Sequence, residues 1–311
     1  MTTPTRKPRP SHPPTLFRLA ERRIVADNLI EAGSRVLAAV SGGPDSMALL
    51  HVLSVLRAKR GFDLVAHGVV HGLRDEASHE VEVARQWAER RGIAFSVDVL
   101  AVTPGSNLHA RARKARFASL RTRAQQVGAH VIALGHHAQD RAETVLIRLL
   151  TGSGPAGLAV MPSRANDLIR PLIDSRPSDI LAHLQRHDVP FSRDPSNADP
   201  RFLRARVRYE LLPLLEQLSP RIVAHLVDLS EDLRALNLDA SPLRRSQLRQ
   251  LADAHQRGIS GVKVMLSSHR VATVDIRTGT IVVESLAEPM DAAEVGGCLA
   301  TGGVVGEKSQ K

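Results

Sequence analysis

Residues 36–46 read VLAAVSGGPDS, an apolar run that leads into a glycine-containing turn and then to an acid. The apolar run predicts a buried strand. Gly42 and Gly43 leave room for backbone N–H groups to approach an anion, and Pro44 suits the first position of a helix. Because the N-terminus of a helix attracts phosphate, the stretch predicts a strand, a phosphate-binding turn and a helix.

Asp45 is the unexpected residue in this turn, because a carboxylate repels phosphate. No lysine follows the glycines, so the turn is not a Walker A loop. Mg²⁺ is usually held by one or two carboxylates together with phosphate oxygens. We therefore predict that Asp45 is a catalytic residue and a ligand of Mg²⁺. The nucleotide-binding residues that we predict are Ser41, Gly42, Gly43, Pro44, Asp45 and Ser46.

Segments typical of strands and helices alternate as far as Leu150, which predicts an α/β fold with a doubly wound parallel sheet. The expected strands are Arg35–Val40, Asp63–Val70, Ala94–Leu100 and His130–Leu134. The expected helices are Leu16–Ala32, Ser46–Lys59, Glu76–Arg91, Asn107–Val127 and Gln139–Leu150. Ligands bind beyond the carboxyl ends of such strands, so three loops are expected in one crevice. They are Ser41–Ser46, His71–Arg74 and Gly135–Asp140.

The composition indicates the class of partner. The chain has 42 Lys and Arg against 32 Asp and Glu, a net charge of +10, which favours RNA, DNA or an acidic membrane as partner. Aromatic residues are only 3%, so phosphate contacts rather than base stacking are expected. The only cysteine, Cys298, excludes a disulfide within the chain and a Cys-ligated metal site, and favours a cytoplasmic location. No apolar run is long enough to predict a membrane span.

Several motifs extend the pattern beyond the first turn. The longest is HHAQDRAETVL at residues 136–146, followed by TGSG at 151–154. The others are HGLR at 71–74, ARKARF at 112–117, RPL at 170–172, DPSN at 194–197 and RARVR at 204–208. Together with SGGPDS they make the chain, over about residues 30–213, resemble the tRNA(Ile)-lysidine synthetase family of PP-loop ATP pyrophosphatases.

The resemblance implies an adenine nucleotide alpha hydrolase-like fold, with ATP and Mg²⁺ as cofactors. Enzymes of this family adenylate the C2 oxygen of the wobble cytidine in an isoleucine tRNA that reads AUA. The side-chain amine of free lysine then displaces AMP, so the net reaction forms lysidine and releases AMP and pyrophosphate. The partners that the resemblance implies are therefore isoleucine tRNA and L-lysine.

The composition and the pattern of segments suggest the domain organisation. A basic, proline-rich, disordered tail is expected at 1–15, a PP-loop adenylating domain at 16–213, a small α+β domain at 214–287 and a disordered tail at 288–311. Within the second of these, Ser163–Pro200 is expected to wrap the catalytic face rather than extend the sheet.

Acidic and histidine site residues come from the longest motif. By resemblance, His136 is catalytic and contacts the nucleotide phosphate or the adenylate, Asp140 belongs to the reacting centre, and Glu143 recognises lysine. Asp140 could also share the metal with Asp45. Because Asp140 and Glu143 are three residues apart, they are expected on one face of a helix. The alternative is a solvated acid pair near Arg141 and Arg148.

Arginines are the remaining candidates, because guanidinium groups suit phosphate and carboxylate. Arg113 and Arg116 lie one helical turn apart and form a basic face. Arg204, Arg206 and Arg208 alternate too closely for one face, so at most two can engage one ligand. We select four arginines for tRNA backbone, ATP phosphate or lysine carboxylate, with solvated surface as the alternative: Arg113, Arg116, Arg206 and Arg208.

Four positions depart from the family pattern. Gln139 replaces an acid, Ala205 replaces an asparagine, and Gly68 and Val70 stand where polar residues or histidine are usual. These departures keep a catalytically silent, RNA-binding relative open as an alternative. Another PP-loop tRNA-modifying enzyme, such as a thiolase, is the second alternative.

Overall fold

The computed structural model describes residues 15–71, 75–100, 108–192, 201–236, 245–259, 262–267, 270–275, 277–279 and 281–285. The chain forms two compact units, which divide between Ala240 and Ser241. The predicted tails, residues 72–74 of the second expected loop and the motif at 194–197 lie outside the described residues.

The first unit is built on one six-stranded sheet. Its strands are β1 (Arg35–Val40), β2 (Asp63–His71), β3 (Ala94–Leu100), β4 (Val131–Ala133), β5 (Arg164–Ala165) and β6 (Leu168–Ile169). They lie in the order β3-β2-β1-β4-β6-β5, and all neighbours are parallel except β5 and β6. The predicted doubly wound parallel sheet is thus confirmed. The strand order reverses between β1 and β4, where open sheets of this kind bind their ligands.

The expectation that Ser163–Pro200 would not extend the sheet is wrong. Leu168–Ile169 pairs with β4, where Ile132 N donates to Asp167 O at 2.8 Å and Leu134 N donates to Ile169 O at 2.9 Å. The pairing satisfies backbone groups that the edge of β4 would otherwise leave buried and unpaired. Residue Ile169 is itself fully buried.

Helices cover both faces of the sheet. They are α1 (Leu16–Ala26), α2 (Pro44–Arg60), α3 (Asp75–Glu89), α4 (Leu108–Gln126), α5 (Ala138–Leu150), α6 (Pro155–Leu158), α7 (Pro177–Arg186), α8 (Leu203–Arg206), α9 (Leu212–Leu218) and α10 (Ile222–Ala235). A π-helical turn, Val207–Leu211, joins α8 to α9. Val36, Ala38 and Val40 of β1 pack in the core that contains α1, α2, α3 and α7, whereas Leu37 packs in the core that contains α4. This alternation follows from the two-residue period of a strand.

A third hydrophobic core joins the last helices of the first unit to α5 and α6. It contains residues of α5, α6, the π-helical turn, α9 and α10. Beside it, the fully buried Arg141 donates through Nη1 to Glu231 Oε1 at 2.6 Å and through Nε to Met161 O at 3.1 Å. The helix α10 therefore packs with the PP-loop part of the chain, and the compact units divide after Ala240 rather than at the expected boundary, 213/214.

The second unit has the α+β architecture that the sequence predicts. Its elements are α11 (Arg245–Gln256), β7 (Lys263–Ser267), β8 (Arg270–Val274) and β9 (Ile281–Ser285). The three strands form an antiparallel sheet in chain order. Leu251 and Ala254 of α11 pack against Val264, Ala272 and Val274 of the sheet.

The pair Arg141–Glu231 gives a test of this packing. Replacing Glu231 by alanine leaves the buried guanidinium of Arg141 without its carboxylate. Because Glu231 is a third exposed, we expect the free energy of unfolding to fall by about 2 kcal/mol, less than for a fully buried pair. Urea denaturation measures this loss. The matched control on the same helix is the exposed Asp232→Ala, which should stay within about 0.5 kcal/mol of the parent. Equal losses would show that α10 is not held through Arg141.

Candidate active site

The turn between β1 and α2 forms one wall of the candidate site. Gly42 has a φ of +84°, and a Cβ there would lie 2.5 Å from the carbonyl oxygen of Glu80, so only glycine fits. Ser46 Oγ donates to Gly43 O at 2.9 Å and accepts from Ser41 N at 3.2 Å. The predicted strand, turn and helix are confirmed, and the turn is held in shape by its own hydrogen bonds.

The chain that leaves β4 forms the opposite wall. A Cβ at Gly135 would lie 2.9 Å from the carbonyl carbon and oxygen of Asp45, closer than any side chain allows. The absence of a side chain at Gly135 therefore lets this segment approach the start of α2. His136 and His137 follow directly, and α5 begins at Ala138. The first and third expected loops thus meet at the carboxyl ends of β1 and β4.

His137 lies between two acids that come from different walls. Its Nε2 is 3.7 Å from Asp45 Oδ1 and 3.6 Å from Asp140 Oδ2. Burial raises the pKa of the Asp45 carboxyl; His137 opposes this effect and the charge of Asp140 adds to it. Burial alone would also raise the pKa of Asp140, but nearby positive charge and a 3.0 Å hydrogen bond from His137 N bring it below its ordinary value. Asp140 is thus held as a carboxylate.

Two arginines bridge the acids of α5. Arg204 donates to Asp140 Oδ1 at 2.9 Å and to Glu143 Oε2 at 3.0 Å. Arg208 donates to Asp140 Oδ1 at 3.1 Å, to Glu143 Oε1 at 2.5 Å and to Glu143 Oε2 at 2.9 Å. We call Asp140, Glu143, Arg204 and Arg208 the bridged cluster. Glu143 is fully buried. The prediction of one shared helix face is confirmed, and the alternative of a solvated acid pair beside Arg141 is wrong, since Arg141 is buried against Glu231.

The arginines of residues 204–208 are not the two that the sequence analysis selected. Arg204 and Arg208 face the acids, whereas Arg206 points outward, is 60% exposed and pairs with Glu210 at 3.1 Å. The structure therefore places Arg206 outside the bridged cluster and Arg204 inside it. The four-residue spacing of 204 and 208 is the signal that could have identified this pair. Ala205 between them is buried, so an alanine fits the packing at this position.

Arg113 and Arg116 of α4 lie within electrostatic reach of the same site. Burial is the largest cause that lowers the pKa of each guanidinium group, and the positive charge of Arg204 lowers both further. Both rest against the ring of Phe117, with distances of 5.0 and 5.5 Å to its centroid. Within the described ranges, neither forms an ion pair or a hydrogen bond with a carboxylate. In the part of the chain that the structure describes, their positive charge is therefore not taken up by an ion pair.

Asp45 and Asp140 differ as possible metal ligands. The side chain of Asp45 is 43% exposed and, in the part of the chain that the structure describes, accepts no hydrogen bond. It fits Mg²⁺, which takes oxygen ligands. Asp140 already accepts from Arg204, Arg208 and His137 N, so it could bind a cation only after an arginine moves. The described residues contain no group of three His, Cys, Asp or Glu that could hold a metal, so an ion at Asp45 would depend on phosphate oxygens.

Three of the departures from the family pattern have local explanations. Gln139 donates through Nε2 to Glu143 Oε1 at 3.2 Å, so it acts as a neutral donor where an acid would add charge. A Cβ at Gly68 would lie 2.6 Å from Val81 Cγ1, so the packing of α3 requires a residue without one. Val70 is buried in the sheet, where an apolar side chain costs least.

Comparison with known proteins identifies relatives over most of the chain. A profile of the PP-loop domain family matches residues 18–215. A tRNA(Ile)-lysidine synthase of Thermobifida fusca is 34% identical over 87% of this chain and 85% of its own length. The enzyme of the same name from Symbiobacterium thermophilum is 37% identical, over 71% of this chain and 48% of its own length. The chain spans about half the length of several curated relatives that it matches.

A solved structure shows the same fold. The U34-tRNA thiolase NcsA from Methanococcus maripaludis superimposes with a TM-score of 0.60 over 70% of this chain and 78% of the thiolase, at 18% sequence identity.

Along the described ranges, none of the helices has the length and apolarity that crossing a membrane requires.

The bridged cluster predicts a large cost for a small substitution. Glu143→Gln keeps the shape but replaces a carboxylate oxygen with an NH₂ group facing Arg208 or Arg204. We expect the free energy of unfolding to fall by about 2 kcal/mol, because the partly exposed guanidinium groups of Arg204 and Arg208 lose one of their two counter-charges. The control is Glu210→Gln, which removes the exposed partner of Arg206 and should cost less than about 1 kcal/mol. Chemical denaturation compares the two, and a Glu143 loss as small as the Glu210 loss would contradict the account.

Proposed function

The chain belongs to the tRNA(Ile)-lysidine synthase family of PP-loop proteins, and from this premise we propose that it joins lysine to C2 of the wobble cytidine of an AUA-reading isoleucine tRNA. The reaction uses ATP, passes through a C2-O-adenylate and releases pyrophosphate and then AMP. One observation carries the proposal: the phosphate-binding turn at Ser41–Ser46 and the acids Asp140 and Glu143 lie side by side at the ends of β1 and β4.

We assign ATP to the turn and the start of α2. Backbone N–H groups at the start of α2 and the hydroxyl of Ser41 suit the β and γ phosphates, which leave as pyrophosphate, while the hydroxyl of Ser46 shapes the turn by donating to Gly43 O. Asp45 is the residue that would hold Mg²⁺ here. The ion, when bound, neutralises phosphate charge and makes pyrophosphate a better leaving group. This role accounts for an acid in a phosphate-binding turn that has no lysine.

We assign the tRNA to the basic side of the site. Arg113 and Arg116 carry charge that no described carboxylate neutralises, and the whole chain has a net charge of +10. Phosphate groups of RNA suit such guanidinium groups, which can donate two parallel hydrogen bonds. Burial lowers the pKa of His136, and the positive charges of Arg113 and Arg116 lower it further, which supports a tRNA phosphate near this part of the site.

We assign lysine to the bridged cluster. The side-chain amine of lysine must be neutral to attack. The α-ammonium group of the same lysine remains charged, and it suits a carboxylate that already binds cations. Gln139, Arg204 and Arg208 already donate to both oxygens of Glu143. The ammonium group therefore reaches Glu143 by replacing a guanidinium donor. The displaced arginine is then free to bind the carboxylate of lysine.

The two alternatives are less well supported. Iron–sulfur clusters such as that of the thiolase in the solved structure are held by several cysteines, and this chain has one, Cys298. A catalytically silent relative would not require the acid of the phosphate-binding turn or the two acids of α5. Asp45, Asp140 and Glu143 are all present here, which favours activity.

One assay distinguishes the three readings. The full chain is incubated with ATP, Mg²⁺, isoleucine tRNA and labelled lysine, and both pyrophosphate release and lysine incorporation into tRNA are followed. We expect both signals in equal amounts. Pyrophosphate release without incorporated lysine would support a different PP-loop reaction. Tight tRNA binding with neither signal would support a silent relative.

Asp45→Asn tests the assigned metal ligand. We expect pyrophosphate release to fall about 100-fold or more, because an amide holds Mg²⁺ weakly and the ion contributes several kcal/mol. The affinity for tRNA, measured by filter binding, should stay nearly unchanged. The control is Asp63→Asn, which lies at the amino end of β2, paired with Arg35, and should keep full activity. A matched loss of activity and tRNA affinity would argue against Asp45 as a metal ligand.

A further inference from the structure

Arg170 contacts the ring of His136, and this contact has no role in the assignments above. We propose that Arg170 is a positioning residue that fixes His136 in the tautomer with its proton on Nε2, so that His136 donates a hydrogen bond to an anionic oxygen of the bound nucleotide. In this form His136 is a donor and does not act as a general base. The identity of the acceptor rests on the proposed function, whereas the tautomer does not.

The tautomer follows from the chemistry of the two partners. Arg170 Nε lies 3.2 Å from His136 Nδ1. A guanidinium group has only donors, so Nδ1 must be the acceptor, and a neutral imidazole then carries its proton on Nε2. An imidazolium would place a proton on Nδ1 and lose the bond. Burial, opposed by Asp140 but supported by the charge of Arg170, lowers the pKa of His136 and so favours the neutral ring.

Arg170 is itself held in place at several points. It is buried, its Nη1 donates to Pro162 O at 2.7 Å, and its backbone N donates to Ser163 O at 2.7 Å. The position of the guanidinium is therefore set by the segment before β6 and not by a ligand. A donor fixed in this way requires no rearrangement when the nucleotide binds.

The two adjacent histidines consequently have different environments. His137 lies with its Nε2 between the carboxylates of Asp45 and Asp140. His136 contacts a cation through Nδ1, and within the described ranges its Nε2 has no hydrogen-bond partner. Arg113 and Arg116 lie close enough to His136 to affect its pKa. A donor that accompanies two unneutralised cations suits an anionic oxygen, and in a PP-loop site the available one is a phosphate oxygen.

The tautomer can be measured without any activity. The full chain is labelled with ¹⁵N-histidine, and the His136 signals are assigned as those that disappear in His136→Gln. In the parent at pH 7.5 we expect the ¹⁵N shifts of a single Nε2–H tautomer. Arg170→Met, which keeps the stem but removes the donors, should give a mixture of tautomers, and Arg170→Lys should restore part of the Nε2–H population. The control Arg164→Met, in the neighbouring strand β5, should leave the parent signals unchanged.

The result that overturns the proposal is a parent His136 with its proton on Nδ1, or tautomers that do not change in a folded Arg170→Met. If Arg170→Met does not fold, the parent measurement still decides the tautomer.

A second pair of variants tests the donor: the amide of Gln lies near the position of Nε2 and that of Asn near the position of Nδ1. We expect His136→Gln to retain pyrophosphate release at least about tenfold better than His136→Asn, and the reverse order would contradict a donor at Nε2.

A failed lysidine assay would leave the tautomer result intact. In that case the parent would release no pyrophosphate while its ¹⁵N spectrum still showed the Nε2–H form. Failure of the proposed function and failure of this inference are therefore distinguishable. The proposal also implies that the proton lost by the attacking amine leaves through a group other than His136.

Discussion

The candidate site depends on a close approach of two backbones, the segment after β4 and the first turn of α2. Gly135 permits it, because any side chain there would overlap the carbonyl group of Asp45. As a result, the phosphate-binding turn, the histidine pair and the acids of α5 share one crevice where the strand order reverses. The remaining groups of the site are arranged around that approach.

The charged side chains of this crevice are not equally available to a ligand, because only some of them are already paired with one another. The acids of α5 are buried, and Arg204 and Arg208 neutralise them. Asp45 is more exposed and is free of such partners within the described ranges, while Arg113 and Arg116 have no carboxylate of their own there. Within the described ranges, Asp45 in the turn thus has no arginine as an ion-pair partner and the two arginines of α4 have no carboxylate, which suits a metal–phosphate group and a polyanion. In the bridged cluster, we propose, the ammonium group of lysine replaces one guanidinium group.

Much of the fold could be predicted from the sequence because its signals are local. The turn at Ser41–Ser46 carries its own glycines, hydroxyls and helix start, and the buried strands show their apolar runs. The strand Leu168–Ile169 was missed because two residues are too short to show a period. The extent of the first unit was missed because the pair Arg141–Glu231 joins residues 90 positions apart, which no local pattern reveals. The position of Arg204 in the bridged cluster was missed because it depends on a helix that continues through a π-helical turn. The pairing of Arg170 with His136 is likewise a contact between distant segments.

If the two walls form one reaction site, as we propose, Gly135→Ala should impair the reaction by separating them. The Cβ would force the histidines and α5 away from Asp45, whereas Gly154→Ala, at an ordinary φ of −78° with open space around it, is the matched control. Pyrophosphate release with isoleucine tRNA and lysine is measured for both variants, with thermal unfolding as the check on folding. We expect folded Gly135→Ala to lose about tenfold or more of the parent rate while Gly154→Ala keeps it. A folded Gly135→Ala with the full rate would show that the two walls do not form one site.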